Sequence, residues 1–235
     1  MEAHIDWHAR AARQPYITEA LIDGRFTRAV SGQTYDSINP ATGLLLGQVA
    51  ACDAQDVDLA VKAARRTFES GVWSRMAPAA RKQILLKLSQ LMLDHVEELA
   101  LLESLDVGKP IQDALHVDIP GAANVFRWYA ESVDKLYGQV APQPPGVLAT
   151  ITREALGVVA AVVPWNFPLD LASWKLAPAL AAGNSVILKP AEQSPATALR
   201  VAELALEAGV PPGVFNVVTG LGEVTGRALG LHPDV

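Results

Sequence analysis

The chain has 235 residues, of which 50% are hydrophobic and 19% charged, and its formal net charge is −6. That is enough apolar material for one large domain or two small ones, and it lacks the basic excess that nucleic-acid binding demands. No apolar run reaches the length of a membrane span, and Met1 to Arg13 lacks the apolar core of a signal peptide; a cytoplasmic protein with neither nucleic-acid nor membrane partners is expected. The sole cysteine, Cys52, cannot form an internal disulfide, in keeping with a reducing compartment.

Between Ala20 and Ala51, short β-type runs are broken by the turn dipeptides Asp23-Gly24, Ser31-Gly32 and Asn39-Pro40. Asp53 reads as the N-cap of a helix with Val57, Val61, Ala64 and Phe68 on one face and Gly71 as its stop. A longer helix is expected after Pro78, its stripe running through Ile84, Leu88, Leu91, Val96, Leu99 and Leu102 until Gly108 and Pro110 end it. A third helix is expected over Asp118 to Leu136, with Val125, Trp128, Tyr129 and Val133 on a broadly apolar side. Pro142, Pro144, Pro145 and Gly146 then stiffen a connection to an alternating run, Val147 to Arg153, that reads as a strand, and a domain junction is placed here.

From Leu156 the pattern changes. Leu156 to Val163 is a nearly continuous apolar run, as in parallel strands covered on both faces. Pro168 suits the first turn of a helix to Ala182, capped by Gly183; Ser185 to Leu188 reads as a strand. Ser194 with Pro195 starts a helix that Gly209 ends, Val214 to Val218 is a third strand, and Gly220, Gly222 and Gly226 precede a last helix. This βαβαβα order implies an α/β fold with a Rossmann-like doubly wound parallel sheet, whose ligands lie beyond the carboxyl ends of the strands.

Two loops follow such ends. In Pro164-Trp165-Asn166-Phe167-Pro168, the prolines and bulky neighbours restrict the backbone and hold the Asn166 amide in one direction. Aimed at a developing oxyanion, such a neutral donor is worth roughly 3 kcal/mol; the plainer alternative is that Asn166 only closes a turn. In Lys189-Pro190-Ala191-Glu192-Gln193-Ser194-Pro195, Lys189 could reach a ribose or phosphate and Glu192 could accept two hydrogen bonds from a ribose diol while repelling a 2′-phosphate. The alternative is a surface ion pair. Gly220-x-Gly222-x-x-x-Gly226 is one residue longer than the usual dinucleotide fingerprint, so it reads either as a tight turn with close packing or as a pyrophosphate approach. No Walker-type sequence is present. His4 and His8 have ligand-like spacing without a third ligand, so no metal is expected, and Cys52 reads as a packed thiol.

The run from Leu156 to Val218, with Trp174-Lys175-Leu176-Ala177-Pro178-Ala179-Leu180 and Ala182-Gly183-Asn184 between the two loops, resembles the NAD(P)-dependent aldehyde dehydrogenases. The likeness extends upstream through Leu105-Asp106-Val107-Gly108-Lys109-Pro110 and Arg127-Trp128-Tyr129-Ala130, and so covers the chain from about Ala20 onward. Within the family the wording is most similar to the γ-glutamyl-γ-aminobutyraldehyde and other ω-aminoaldehyde dehydrogenases of polyamine breakdown.

The resemblance implies attack by a cysteine thiolate on an aldehyde, hydride transfer to NAD, with NADP as the variant cofactor, and hydrolysis of the thioester. It assigns Asn166 to the oxyanion hole and Lys175 to proton relay. Val162, Val163, Pro164 and Trp165 are implied in the cofactor cleft, Lys189 and Glu192 at the adenosine ribose, and Gly222 and Gly226 near the pyrophosphate. Phe167, Leu171 and Trp174 are implied as walls of the aldehyde tunnel. It also implies residues 1–137 as strands and helices of the cofactor-binding domain, 138–155 as part of an oligomerisation hairpin for a homodimer or homotetramer, and 156–235 as an incomplete βαβαβα core. The family's cysteine, its glutamate base and its next glycine loop belong beyond Val235, so no turnover is expected of this chain alone, and the half-built sheet is expected to expose an edge. The alternative is a truncated, non-catalytic NAD-binding or interaction module. Glu223 departs from the family's apolar residue or proline and is expected to face solvent. Asp170, in the first turn after the oxyanion loop, is either a helix-dipole partner or an attractor for the cationic end of an aminoaldehyde.

Overall fold

In the computed structural model, which describes residues 5–235, three parallel strands form the centre of the molecule: β7 (Val158–Val162), β8 (Ser185–Lys189) and β9 (Phe215–Val217). Their order, β9-β8-β7, follows from two crossovers, α7 (Pro168–Ala181) and α8 (Ala196–Ala208). The expected α/β sheet is thus present, with one addition. β1 (Ala20–Ile22) pairs antiparallel with β9 through Leu21 and Val217, and β2 (Arg25–Thr27) pairs with β1, giving a mixed five-stranded sheet. The two-residue loop Asp23-Gly24 has φ of 53° and 74° at its two positions, as a hairpin turn twisted like its strands requires, and Asn216 accepts a hydrogen bond from the Asp23 amide at 2.9 Å. The free edge therefore differs from a bare β9: the hairpin covers β9, and β2 and β7 are the two strands with a side that has no ladder partner among the described residues.

Alternation along the strands divides the core. Val186 and Leu188 of β8 join Ala161, Val163 and Val217 against α7 and α8, whereas Ile187 joins Val158 and Val218 on the opposite face. That second face is covered by α2 (Ala54–Ser70), through buried Val57, Ala60, Val61 and Ala64. Asp53 caps α2 by accepting from the Gln55 amide at 2.7 Å, and Asp56 returns a bond from the Asp53 amide at 2.9 Å; Gly71 ends the helix in the left-handed conformation.

The single long helix expected after Pro78 is two, α3 (Pro78–Asp94) and α4 (Val96–Val107), meeting at His95 with φ −104° and ψ 21°. The break lets Glu98 face α8, where Arg200 reaches it at 2.9 and 3.1 Å, and His95 Nδ1 lies 2.8 Å from the same carboxylate. An apolar period registers the face of a helix and is blind to a one-residue turn made by ion pairing across elements. The third helix also starts earlier than expected. A short turn α5 (Ile111–Asp113) runs through a π turn, Ala114–Asp118, into α6 (Ile119–Ser132). Its buried arc is Ile119, Ala122, Ala123, Phe126 and Ala130; Trp128 is 58% exposed, stacked edge-on against Tyr129, because the alanines rather than the large ring let the helix approach its neighbours.

Two further hairpins lie outside this sheet: β3 (Thr34–Ile38) with β4 (Leu45–Ala50), and β5 (Gln139–Ala141) with β6 (Ala149–Ile151). The strand expected over Val147 to Arg153 is thus the shorter β6, and β7 starts at Val158, with Leu156 exposed before it. A five-residue helix, α1 (Trp7–Ala11), precedes β1, and a four-residue helix, α9 (Arg227–Gly230), follows a π turn at Gly222–Gly226. No described helix is long and apolar enough to cross a membrane.

Candidate active site

Val162 of β7 sits opposite Lys189 of β8 in the parallel ladder, and the Val163 amide donates to the Lys189 carbonyl at 3.2 Å. Both loops singled out in the sequence therefore leave the carboxyl edge of the sheet side by side, with the turn after β9 next to them. Side chains from all three can address one ligand, as doubly wound sheets permit at this edge.

On the first loop, Val163 turns into the core, while Val162, Pro164, Trp165, Asn166 and Phe167 are exposed. Pro168 opens α7, and the Leu171 amide donates to the Phe167 carbonyl at 3.0 Å, so the side chain of Asn166 is carried on a loop anchored at both ends. The helix then splits into two arcs. Leu169, Ala172, Leu176, Ala177 and Leu180 are buried; Phe167, Asp170, Leu171, Trp174 and Lys175 occupy the outward side, as a 3.6-residue period requires. Asp170 is half-buried. Burial pushes its carboxyl above the ordinary range, Asp118 adds to that, and the Trp174 indole and the Lys109 ammonium oppose it.

On the second loop, Lys189 is 2% exposed and its Nζ lies 3.0 Å from Glu192 Oε2. This is an ion pair at a buried strand end rather than on the surface. Burial works to raise the Glu192 carboxyl, but the Lys189 hydrogen bond and charge, with the Gly222 amide nearby, hold it below the usual carboxylate range. Lys189, Glu192 and the glycine turn thus converge.

The three glycines of that turn have different reasons to be glycine. Gly220 has φ 130°, and a Cβ there would meet Thr225 Oγ1 at 2.2 Å and the Cys52 carbonyl at 2.8 Å, so packing alone demands it. A Cβ at Gly222 or Gly226 would meet nothing within 4 Å. Packing does not dictate glycine at either position, and the surface beside them is open. Glu223 is exposed between them, as expected. Cys52 is buried behind the turn, its amide donating to the Thr219 carbonyl at 3.2 Å and its carbonyl accepting from the Thr225 hydroxyl; burial pushes the thiol up to about 12. It is a packed thiol, not a nucleophile.

Two residues quoted in the sequence only for their likeness prove to hold the site's framework. Asp106 is buried on α4 and accepts from the Tyr16 hydroxyl at 2.6 Å and from the Ala196 amide, in the first turn of α8, at 2.9 Å. Its burial, opposed by these two bonds, raises the carboxyl to about 7. Lys109 pairs with Asp118 and stands over the Phe167 ring. The available signal was a carboxylate or lysine interrupting an otherwise apolar helix face or loop. His8 is exposed on α1 and His4 lies outside the described residues, among which no three metal-capable side chains cluster.

The aldehyde dehydrogenase family model matches residues 26–235. The chain belongs to the aldehyde dehydrogenase family. Among its curated relatives, the aminoacetaldehyde dehydrogenase of Pseudomonas aeruginosa is 54% identical over 98% of this chain and 46% of its own length. The NADP/NAD-dependent aldehyde dehydrogenase PuuC of Escherichia coli K12 is 53% identical over 97% and 46%. Among solved structures, an indole-3-acetaldehyde dehydrogenase in complex with NAD+ superposes with a TM-score of 0.97 at 55% identity, covering 98% of this chain and 46% of that one. The γ-glutamyl-γ-aminobutyraldehyde dehydrogenase of Burkholderia cenocepacia J2315 gives 0.96 at 54%, with the same coverage. The chain thus spans about half the length of the relatives it matches.

Proposed function

We propose that the chain supplies the cofactor-binding half of an NAD(P)-dependent aldehyde dehydrogenase that oxidises ω-aminoaldehydes to carboxylates in the cytoplasm. The observation that carries this is the convergence of Asn166, the pair of buried Lys189 with half-buried Glu192, and the open faces of Gly222 and Gly226 on one edge of the sheet. A dinucleotide fits these residues: Lys189 and Glu192 would hold the adenosine ribose and the two glycines would admit the pyrophosphate, with Val162, Pro164 and Trp165 along the cleft. The cofactor supplies the hydride acceptor. The Asn166 amide would donate to the oxyanion as the carbonyl is attacked, and exposed Lys175, on the same arc, could pass a proton. Phe167, Leu171 and Trp174 would enclose the aldehyde chain. The nucleophile must come from another segment, since Cys52 is buried with its thiol pushed up to about 12. Residues 138–155, which form the β5–β6 hairpin with Val140, Leu148 and Ile151 exposed, would serve as the contact surface of a homodimer or homotetramer. A stand-alone binding module has no observation of its own in its favour.

Glu192 should make NAD bind at least about 10-fold more tightly than NADP, because a 2′-phosphate would approach a carboxylate held ionised by Lys189. Isothermal titration of both cofactors tests this; equal affinity, or no binding to the wild type, refutes the assignment. Asp170, already burdened by burial and Asp118, would be relieved by an ammonium group. In the complete enzyme, Asp170→Leu should therefore lower kcat/KM about 10-fold or more for an aminoaldehyde and little for a neutral aldehyde of equal length. An equal loss for both removes the aminoaldehyde reading.

A further inference from the structure

Beneath the Asn166 loop lies a cluster of charge that the proposed chemistry does not use. Glu103, on α4, is fully buried and neither of its carboxylate oxygens has a hydrogen-bond partner among the described residues. Lys109 Nζ is 3.7 Å from Glu103 Oε1, paired with Asp118 at the end of the π turn, and 4.2 Å from the centroid of the Phe167 ring. Lys109 is itself set rigidly. Gly108 before it ends α4 in the left-handed conformation, Pro110 follows it, and the Ser104 hydroxyl donates to its carbonyl at 2.7 Å. A cation enclosed by the buried Asp118 carboxylate and the buried Glu103 carboxyl and fixed by its backbone is an anchor, and a ring face within about 6 Å of it is attracted to it. Phe167 is half exposed on the outer side of its helix, where packing alone would leave it free to change rotamer.

Resting on the functional reading above, we infer that Lys109 is a positioning residue, whose ammonium fixes the Phe167 ring and through it the direction in which the adjoining Asn166 amide points. The chain of contact is short: Glu103 and Asp118 hold Lys109, Lys109 holds Phe167, and Phe167 is bonded to Asn166. The π turn has a purpose in this arrangement, since it brings Asp118 against Lys109.

The test labels the protein with 4-fluorophenylalanine and assigns the position-167 resonance by its loss in F167L. Lys109→Met should shift and broaden that resonance, and Lys109→Arg, which retains a cation able to stack on a ring, should restore it. Because Lys109→Met strands the buried Asp118 carboxylate, the paired variant K109M/D118N provides a folded control and should show the same shift. In the complete enzyme, with a neutral aldehyde so that Asp118 and Asp170 do not bear on the substrate, K109M/D118N should lower kcat about 10-fold while leaving the KM for NAD unchanged. An unmoved resonance in both variants overturns the inference whatever the aldehyde assay shows. A moved resonance with unchanged kcat overturns the link to Asn166. Should the wild type oxidise no aldehyde while its resonance responds as expected, the functional reading fails and the anchoring contact stands.

Discussion

Glu103 gives the sharpest handle on the energetics of this chain. Its burial raises the carboxyl from 4.5 to about 8, against the Lys109 charge and the nearby Leu169 amide, with the Asp118 and Asp106 charges adding to the rise. A carboxyl raised in the folded state contributes stability that is complete below its unfolded value and is lost as pH climbs through the folded one. Each unit of displacement is worth about 1.4 kcal/mol, so the full loss is about 5 kcal/mol, of which about 4 falls between pH 5 and pH 9. Glu103→Gln keeps the shape and removes the titration. Urea unfolding of wild type and variant at pH 5, 7 and 9 should show E103Q gaining on the wild type by about 4 kcal/mol across the range, with most of the gain complete by pH 8. Against a total stability of about 5–15 kcal/mol for a domain, that difference is large and easily read. A gap between the two proteins that stays constant with pH would show that Glu103 does not change its ionisation on folding, and the account of its surroundings would be wrong.

The glycine turn separates stability from binding. Gly220→Ala should cost about 2–4 kcal/mol, since a left-handed φ and a Cβ contact of 2.2 Å both resist it, and should lower Tm. Gly222→Ala should leave Tm within a degree or two and weaken NAD instead, as calorimetric titration would show; a stability loss equal to that of G220A would contradict the open space seen there. Trp73 is fully buried, with its indole donating to the Leu180 carbonyl at 3.1 Å, and Trp73→Ala should cost about 3–5 kcal/mol in urea unfolding. Asp53→Ala removes one half of a capping box at the start of α2 and should cost about 1 kcal/mol by the same assay, an unchanged midpoint counting against the cap.

What the sequence revealed depends on the range of the interaction. The apolar run ending at Val163, the Pro168 helix start and the Gly209 stop are local signals, and β7, α7, β8 and α8 lie close to where they predict. The two loops of the site were legible for the same reason, as both follow strand ends. The turn at His95 was not, because its cause is Arg200, about a hundred residues away in sequence and brought near only by folding. Nor was the exposure of Trp128, since hydropathy scores a large ring as interior whichever arc of α6 carries it. The same limit hid Asp106 and Lys109: a charge in an apolar stretch reads as solvated until burial is known.

The pairing of Leu21 with Val217 also has a kinetic meaning. The hairpin that protects one flank of the sheet precedes its docking strand by nearly two hundred residues, Leu21 against Val217. Closing so long a loop is entropically slow, so this pairing is a late event on the folding path. Until then β9 is a bare ladder, and the interval is when a chaperone, or a second nascent copy, would compete for it.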